Sequence, residues 1–252
     1  MIFKVLGKKT NKEIKKYIDD ITDKVKWIAF YLAQEGNFEL VKYLIEEKKV
    51  AVNIIKDGEN LIFPACKSGN LELVKYLIKQ GADINVKEDD GTILFTACLG
   101  GNLELVKYLI EEKKLDVNVK DKFYERTVLF DACRSGNLRL VKYLVEEKEL
   151  DFKIKDINKR TVFIHACESC NLDLLRYLVE TKKLDVNKDI REDTVLFEAC
   201  KSEDLELVKY LVEHGARVNV EVNTVFGIHT VLFYAENQEI RKYLKSVGAK
   251  EY

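Results

Sequence analysis

One phrase returns along this chain at nearly fixed spacing, and that return restricts the fold more than any other feature. The tyrosine of "KYL" or "RYL" recurs at Tyr43, Tyr76, Tyr108, Tyr143, Tyr177, Tyr210 and Tyr243, at intervals of 33, 32, 35, 34, 33 and 33 residues. A unit of that size cannot bury its own apolar faces, so its neighbours must supply the missing surface. A linear stack of similar units is therefore expected. With helices about 10 Å across, seven layers would span on the order of 70 Å.

Each copy reads as two short helices and a loop. In the fourth, Thr127 is a candidate N-cap whose hydroxyl can accept from a free backbone N–H. Leu129, Ala132 and Cys133 follow at helical spacing and give one apolar stripe. "SGN" at Ser135 to Asn137 ends that helix and offers Asn137 as the next cap. The second helix, "NLRLVKYLVEE", is apolar over a stripe too wide for one partner, which suits packing against its mate and a neighbouring copy. In most copies an acid follows two residues after this cap, as at Glu39, Glu72, Glu104, Asp173 and Glu206, where it suits the helix dipole. Between copies, "KDG" at Lys56 to Gly58 and "DDG" at Asp89 to Gly91 read as hairpin turns.

The stretch "DGTILFTACLGGNLELVKYLIEEKKLDVN" resembles the ankyrin repeat, and seven copies match at the right period. The resemblance covers roughly residues 26 to 250. It implies an all-α fold: an ankyrin-repeat solenoid of about seven helix–turn–helix repeats, capping repeats included, joined by β-hairpin-like fingers. The copies start near residues 27, 60, 92, 127, 161, 194 and 230. Residues 1–25 are expected to form an N-terminal segment with a capping helix, and 26–252 the array. Some features depart from the family pattern. Its Pro after Thr is Val or Ile here, and its His is Phe or Ile (Phe63, Phe95, Phe130, Ile164, Phe197, Phe233). Apolar packing must replace the hydrogen bonds of that His, so looser control of the fingers is expected. Several copies carry "EEKK" or a similar run, one residue longer, in place of a Gly turn. The resemblance also makes the hairpin asparagines Asn85, Asn118, Asn187 and Asn219 candidate substrates of an asparagine hydroxylase.

Searching the sequence for chemistry turns up little. There is no Ser/His/Asp order, HExxH or P-loop among the residues, and only three histidines. No catalytic residue, metal ligand or cofactor is expected. Five of the six cysteines (Cys66, Cys98, Cys133, Cys167, Cys200) hold one repeat position and read as buried thiols. His165, Cys167 and Cys170 would be a redox or metal site only in an alternative reading, since a structural zinc site needs four ligands. The net charge of −1 favours neither nucleic acid nor an anionic membrane, and no apolar run is long enough to span one. The expected setting is cytoplasmic, with nuclear or host-cell cytosol as alternatives.

Function is then expected in surface recognition: a non-catalytic module binding another protein through concave helix faces and finger tips, as a monomer. The alternative is an assembly element in a larger complex. Two positions change from copy to copy while the framework stays. One is the residue before the helical Ala, which includes Asp131, His165, Glu198 and Tyr234. The other follows the Cys and includes Arg134 and Glu168. Two fingers carry apolar tips: "KDKFYERT", with Phe123, Tyr124 and Arg126, and "VEVNTVFGIHT", with Val225, Phe226 and Ile228. Lys159 and Arg160 add cations, and aromatic plus Arg is the composition of interaction hot spots. The expected contact set is therefore Phe123, Tyr124, Arg126, Asp131, Arg134, Lys159, Arg160, His165, Glu168, Glu198, Phe226 and Tyr234.

Overall fold

The computed structural model describes residues 10–19, 25–88, 91–187, 195–224 and 227–250. The chain divides into two compact units, residues 1–123 and 124–252. The first contains a helix at Asn11–Asp19 and three helix pairs. These are Val25–Gln34 with Phe38–Glu46, Ile62–Lys67 with Leu71–Lys79, and Ile93–Gly100 with Leu103–Lys107, the last continued by a wider turn over Tyr108–Glu112. The second unit contains four pairs. They begin at Val128–Ser135, Val162–Glu168, Val195–Lys201 and Val231–Tyr234, and their mates begin at Leu138, Leu172, Leu205 and Gln238. Within each unit the first helices of consecutive copies pack on one another. In the first unit, the Asn11–Asp19 helix lays Ile14 and Ile18 onto the neighbourhood of Phe38–Glu46.

The framework positions fill the core. Phe63, Phe95, Phe130, Ile164 and Phe197, all at the site of the family's His, are buried. In the last copy the equivalent Phe233 is 60% exposed, its ring stacked on His229 at 3.8 Å. The five ladder cysteines are buried free thiols, and Cys170 is exposed. Burial pushes the thiols of Cys66 and Cys133 up, and that of Cys200 to about 12, so none of these three is a thiolate near neutrality.

Asparagine does two jobs at the start of the second helix. The Oδ1 of Asn37, Asn70, Asn102, Asn137 and Asn171 accepts from the N–H of Leu40, Leu73, Leu105, Leu140 and Leu174. In three of them the Nδ2 also reaches back to the previous copy. Asn70 donates to Gly36 O at 2.7 Å, Asn102 to Gly69 O at 2.8 Å and Asn171 to Gly136 O at 3.0 Å. Polar ties between copies thus replace part of what the absent His would supply. Asp204 keeps the cap, accepting from Glu206 and Leu207, but a carboxylate has no amide to donate.

A second set of asparagines clasps the turns that follow the second helices. Asn53 donates to Gly81 O and accepts from Asp83 N, Asn187 donates to Gly215 O and accepts from Arg217 N, and Asn219 does the same with Gly248 and Lys250. Each clasp closes on a copy whose second helix ends in a left-handed glycine, with φ of 92° at Gly81, 87° at Gly215 and 93° at Gly248. The side-chain amides of Asn187 and Asn219, two of the hydroxylation candidates, are held in these clasps.

The longer copies solve the same turn differently. Their extra residue is taken up by widening the last helical turn: Lys113, Lys148 and Lys182 donate to the carbonyls of Tyr108, Tyr143 and Tyr177, five residues back. The left-handed position that follows is then held by a residue with a side chain, Lys114, Glu149 or Lys183, with φ between 56° and 59°. Lys49 does the same in the first copy, at φ 57°.

Some local expectations change. The hairpin at Ile55–Lys56 and Glu59–Asn60 turns through Asp57 and Gly58, both at positive φ, as an Asp-Gly turn should. Of the "DDG" turn, Asp89 and Asp90 lie outside the described residues. Thr92 and Thr161 cap their helices through their hydroxyls. Thr127 occupies the cap with extended backbone, but its hydroxyl is buried with no hydrogen-bond partner. The neighbouring residues have sealed that hydroxyl in without aiming it at the first helical turn.

Gly100 stands where other copies have Ser68, Ser135, Ser169 and Ser202, so Gly100→Ser looks like a repair by the chain's own consensus. It is not one. A Cβ there would overlap the Lys67 carbonyl and press on that of Cys66 at 3.0 Å. Backbone atoms cannot swing aside, so Gly100→Ser should lower unfolding free energy by about 1 kcal/mol, read from urea denaturation.

Candidate partner-binding surface

The structure places the expected contact residues in three groups within the second unit. Phe123 is 48% exposed and belongs to the first unit. Phe226 and Val225 lie outside the described residues.

The first group is a charged network between the fourth and fifth copies. Arg134 Nε donates to Glu168 Oε2 at 2.7 Å. His165 Nδ1 lies 3.0 Å from the same carboxylate oxygen and 2.9 Å from Arg134 Nη2. Asp131 Oδ1 is 3.9 Å from Arg134 Nη1. Arginine only donates and a carboxylate only accepts, so Nδ1 can serve one of them at a time. In both tautomers Nε2 is left buried without a partner. The ring also stands edge-on to Phe130 at 5.4 Å. Burial alone would raise the Glu168 carboxyl. The hydrogen bond and charge of His165, and then those of Arg134, outweigh it and hold the carboxyl at about 2.

This network corrects part of the surface reading. His165 is 0% exposed, Asp131 7% and Arg126 8%. Asp131 and His165, each before a helical Ala, and Arg126 in the finger therefore shape the surface from beneath. Arg134 and Glu168 remain partly exposed, each already bonded to the other.

The second group lies in the sixth and seventh copies. Glu198 accepts from Lys201 Nζ at 2.7 Å, and that Nζ lies 5.0 Å over the Tyr234 ring. Tyr234 in turn stacks on Phe197 at 4.9 Å.

The third group is a pair of fingers. Ile157 N donates to Tyr124 O at 3.0 Å, which sets the two residues side by side. Tyr124 is 39% exposed and Ile157 55%. The Arg126 guanidinium lies 5.1 Å over the Tyr124 ring. Below, Asp156 locks the second finger: its Oδ1 accepts from Arg160 N and its Oδ2 from Arg160 Nε, both at 2.9 Å, and its own N–H donates to Arg160 O. The Asp156 side chain is fully buried. Lys159, with φ 62°, forms the exposed tip. Ile157 and Asp156 escape a composition-based reading, because a lone Ile in "KDINKR" has no repeat partner to mark it.

The tyrosine ladder is structural. The hydroxyls of Tyr76, Tyr177 and Tyr210 donate to Glu46, Glu146 and Glu180 of the preceding copy, at 3.2, 2.8 and 3.1 Å. Burial, then the bond to Glu46, raises the Tyr76 phenol to about 12, and the other two shift the same way. Cys170 holds the left-handed position that Gly36, Gly69, Gly101 and Gly136 hold elsewhere. Among the described residues no three His, Cys, Asp or Glu side chains gather as a metal site would need, and no helix is long and apolar enough to cross a membrane.

The family model described as ankyrin repeats (3 copies) matches residues 8–88, 65–156, 129–223 and 166–250. No curated protein sequence matches significantly. Among solved structures, the crystal structure of the human ASB11 ankyrin repeat domain is similar, with a TM-score of 0.59 and 21% identity over 89% of this chain and 99% of that one. That similarity speaks for the fold alone. Repeats of this kind generally mediate contact between proteins and are generally not catalytic. Helix pairs, turn chemistry and the repeated sequence match agree: this chain belongs to the ankyrin-repeat family.

Proposed function

We propose that this chain is a non-catalytic module that binds another protein, and that the paired fingers of the second unit are the principal contact. One observation carries the reading. Tyr124 and Ile157 are large, exposed and adjacent, and the root of the finger that carries Ile157 is fixed by Asp156 and Arg160. Exposed apolar side chains on a rigid base lose little entropy when a partner covers them. Tyr124 with Arg126 behind it, Lys159 and Arg160 form the centre of this contact. Arg134, Glu168, Glu198 and Tyr234 form its extension along the helices, where Asp131 and His165 set the shape from below. Six free thiols suit a reducing compartment such as the cytosol.

A photo-cross-linking residue at position 157 tests this, with the exposed Lys142 on a second helix as control. Capture of a protein at 157 and not at 142 is the expected result in native extract. Equal capture at both, or none at 157, would remove the fingers from the contact. The alternative of an assembly element is separated by light scattering: a mass that stays near 29.2 kDa as concentration rises speaks for a single copy with a foreign partner.

A further inference from the structure

We propose that the Tyr124–Ile157 finger pair takes an acidic peptide segment bearing a large apolar side chain. This rests on the protein-binding reading above and adds the chemistry of the partner.

The whole chain is nearly neutral at −1, but the second finger is not. From Lys153 to Arg160 it carries Lys153, Lys155, Lys159 and Arg160 against Asp156, four positive charges less one negative, or +3. Burial removes that one anion from the surface, since Asp156 is 0% exposed and bonded to Arg160. Lys153, Lys155 and Lys159 are exposed. On the other finger Lys120, Lys122 and Arg126 against Asp121 and Glu125, three positive charges less two negative, leave +1. The field above Ile157 is therefore positive, and an anionic partner is favoured there by complementarity. Tyr124 and Ile157 supply the apolar area that a large side chain would cover. The tight turn in which Lys159 N donates to Asp156 O at 2.9 Å holds the tip in place before any partner arrives.

The test is a random peptide library displayed on phage and panned on the full chain, followed by anisotropy measurements on the enriched peptides. The expected peptides are net acidic with a Phe, Leu, Ile, Trp or Tyr. Their binding should fall about tenfold or more with Tyr124→Ala or Ile157→Asp, the range of a central hot spot. Lys155→Glu with Lys159→Glu should weaken it comparably, and added salt should weaken it progressively. All four residues are exposed, and an unchanged melting curve for each variant confirms that it folds. Neutral or basic peptides that still require Tyr124 and Ile157 would overturn the acidic assignment and leave the finger contact standing. Peptides indifferent to these substitutions would overturn both. So would a selection that enriches nothing. A single-stranded oligonucleotide that binds with the same sensitivity to Ile157→Asp would show a different polyanion to be the ligand, and would also overturn the proposal.

Discussion

Replacing Lys49, Lys114, Glu149 and Lys183 together by glycine should stabilise this protein by about 2–4 kcal/mol. All four residues hold left-handed backbone, with φ between 56° and 59°, at the close of a second helix. That conformation costs an L-residue about 1–2 kcal/mol through its Cβ. Glycine escapes the penalty but gives up roughly 0.5–1 kcal/mol of chain entropy on folding. About 0.5–1 kcal/mol per site remains, and well-separated sites add. The chain itself supplies the comparison. Gly81, Gly215 and Gly248 hold the matching left-handed position in the shorter copies, with φ between 87° and 93°, and an ideal Cβ at any of them would meet nothing within 4 Å. Space is therefore not the issue at this turn, and backbone strain decides. For a chain of this size the gain corresponds to a rise of about 5–10 °C in melting temperature, followed by circular dichroism. Lys75→Gly, in the interior of a second helix, is the control and should instead lower stability by about 1 kcal/mol. A quadruple variant that melts no higher than the parent would mean that the widened turns already relieve the strain.

How much of this was legible in the sequence depends on the kind of contact. Period and helix pairing were, because each copy repeats the same apolar stripe, and seven repetitions average out local noise. The buried cysteine ladder was legible for the same reason. The asparagine ties were not. Asn70 or Asn171 shows in sequence as an N-cap, and nothing local tells that the other end of its amide reaches a glycine carbonyl 34 or 35 residues back. The finger pair was half legible. Tyr124 stood out as an aromatic in a polar loop, while its neighbour Ile157 is joined to it by a backbone bond, which leaves no mark on residue type. The deepest misreading concerns His165. Variation between copies at that position reads as exposure. Asp131, Arg134 and Glu168 vary too, and the four compensate one another as one network, with His165 and Asp131 buried and Arg134 and Glu168 at its partly exposed edge. A position can change freely from copy to copy and still be buried, provided its partners change with it.

That network should also set the acid limit of the fold. The Glu168 carboxyl sits at about 2 in the folded chain, below its ordinary value of 4.5. On acidification the unfolded chain therefore takes up this proton first. The stability Glu168 contributes is fully present above pH 4.5 and is lost as the pH falls toward 2. A shift of that size corresponds to roughly 3 kcal/mol, and solvent screening of a partly exposed carboxylate reduces it to about 2 kcal/mol. Glu168→Gln should accordingly cost about 2 kcal/mol near neutrality, and the gap from the parent should close between pH 4.5 and 2 as both carry an uncharged side chain. Arg134→Met should move the closure to higher pH, because it removes a cation that holds the carboxylate ionised. His165 makes the remaining bond, so Glu168 in that variant should still titrate below an unpaired glutamate. Urea denaturation from pH 7 downward reads all three curves. If Glu168→Gln ran parallel to the parent at every pH, the carboxylate would be a bystander, and the bonds around His165 would be packing without electrostatic weight.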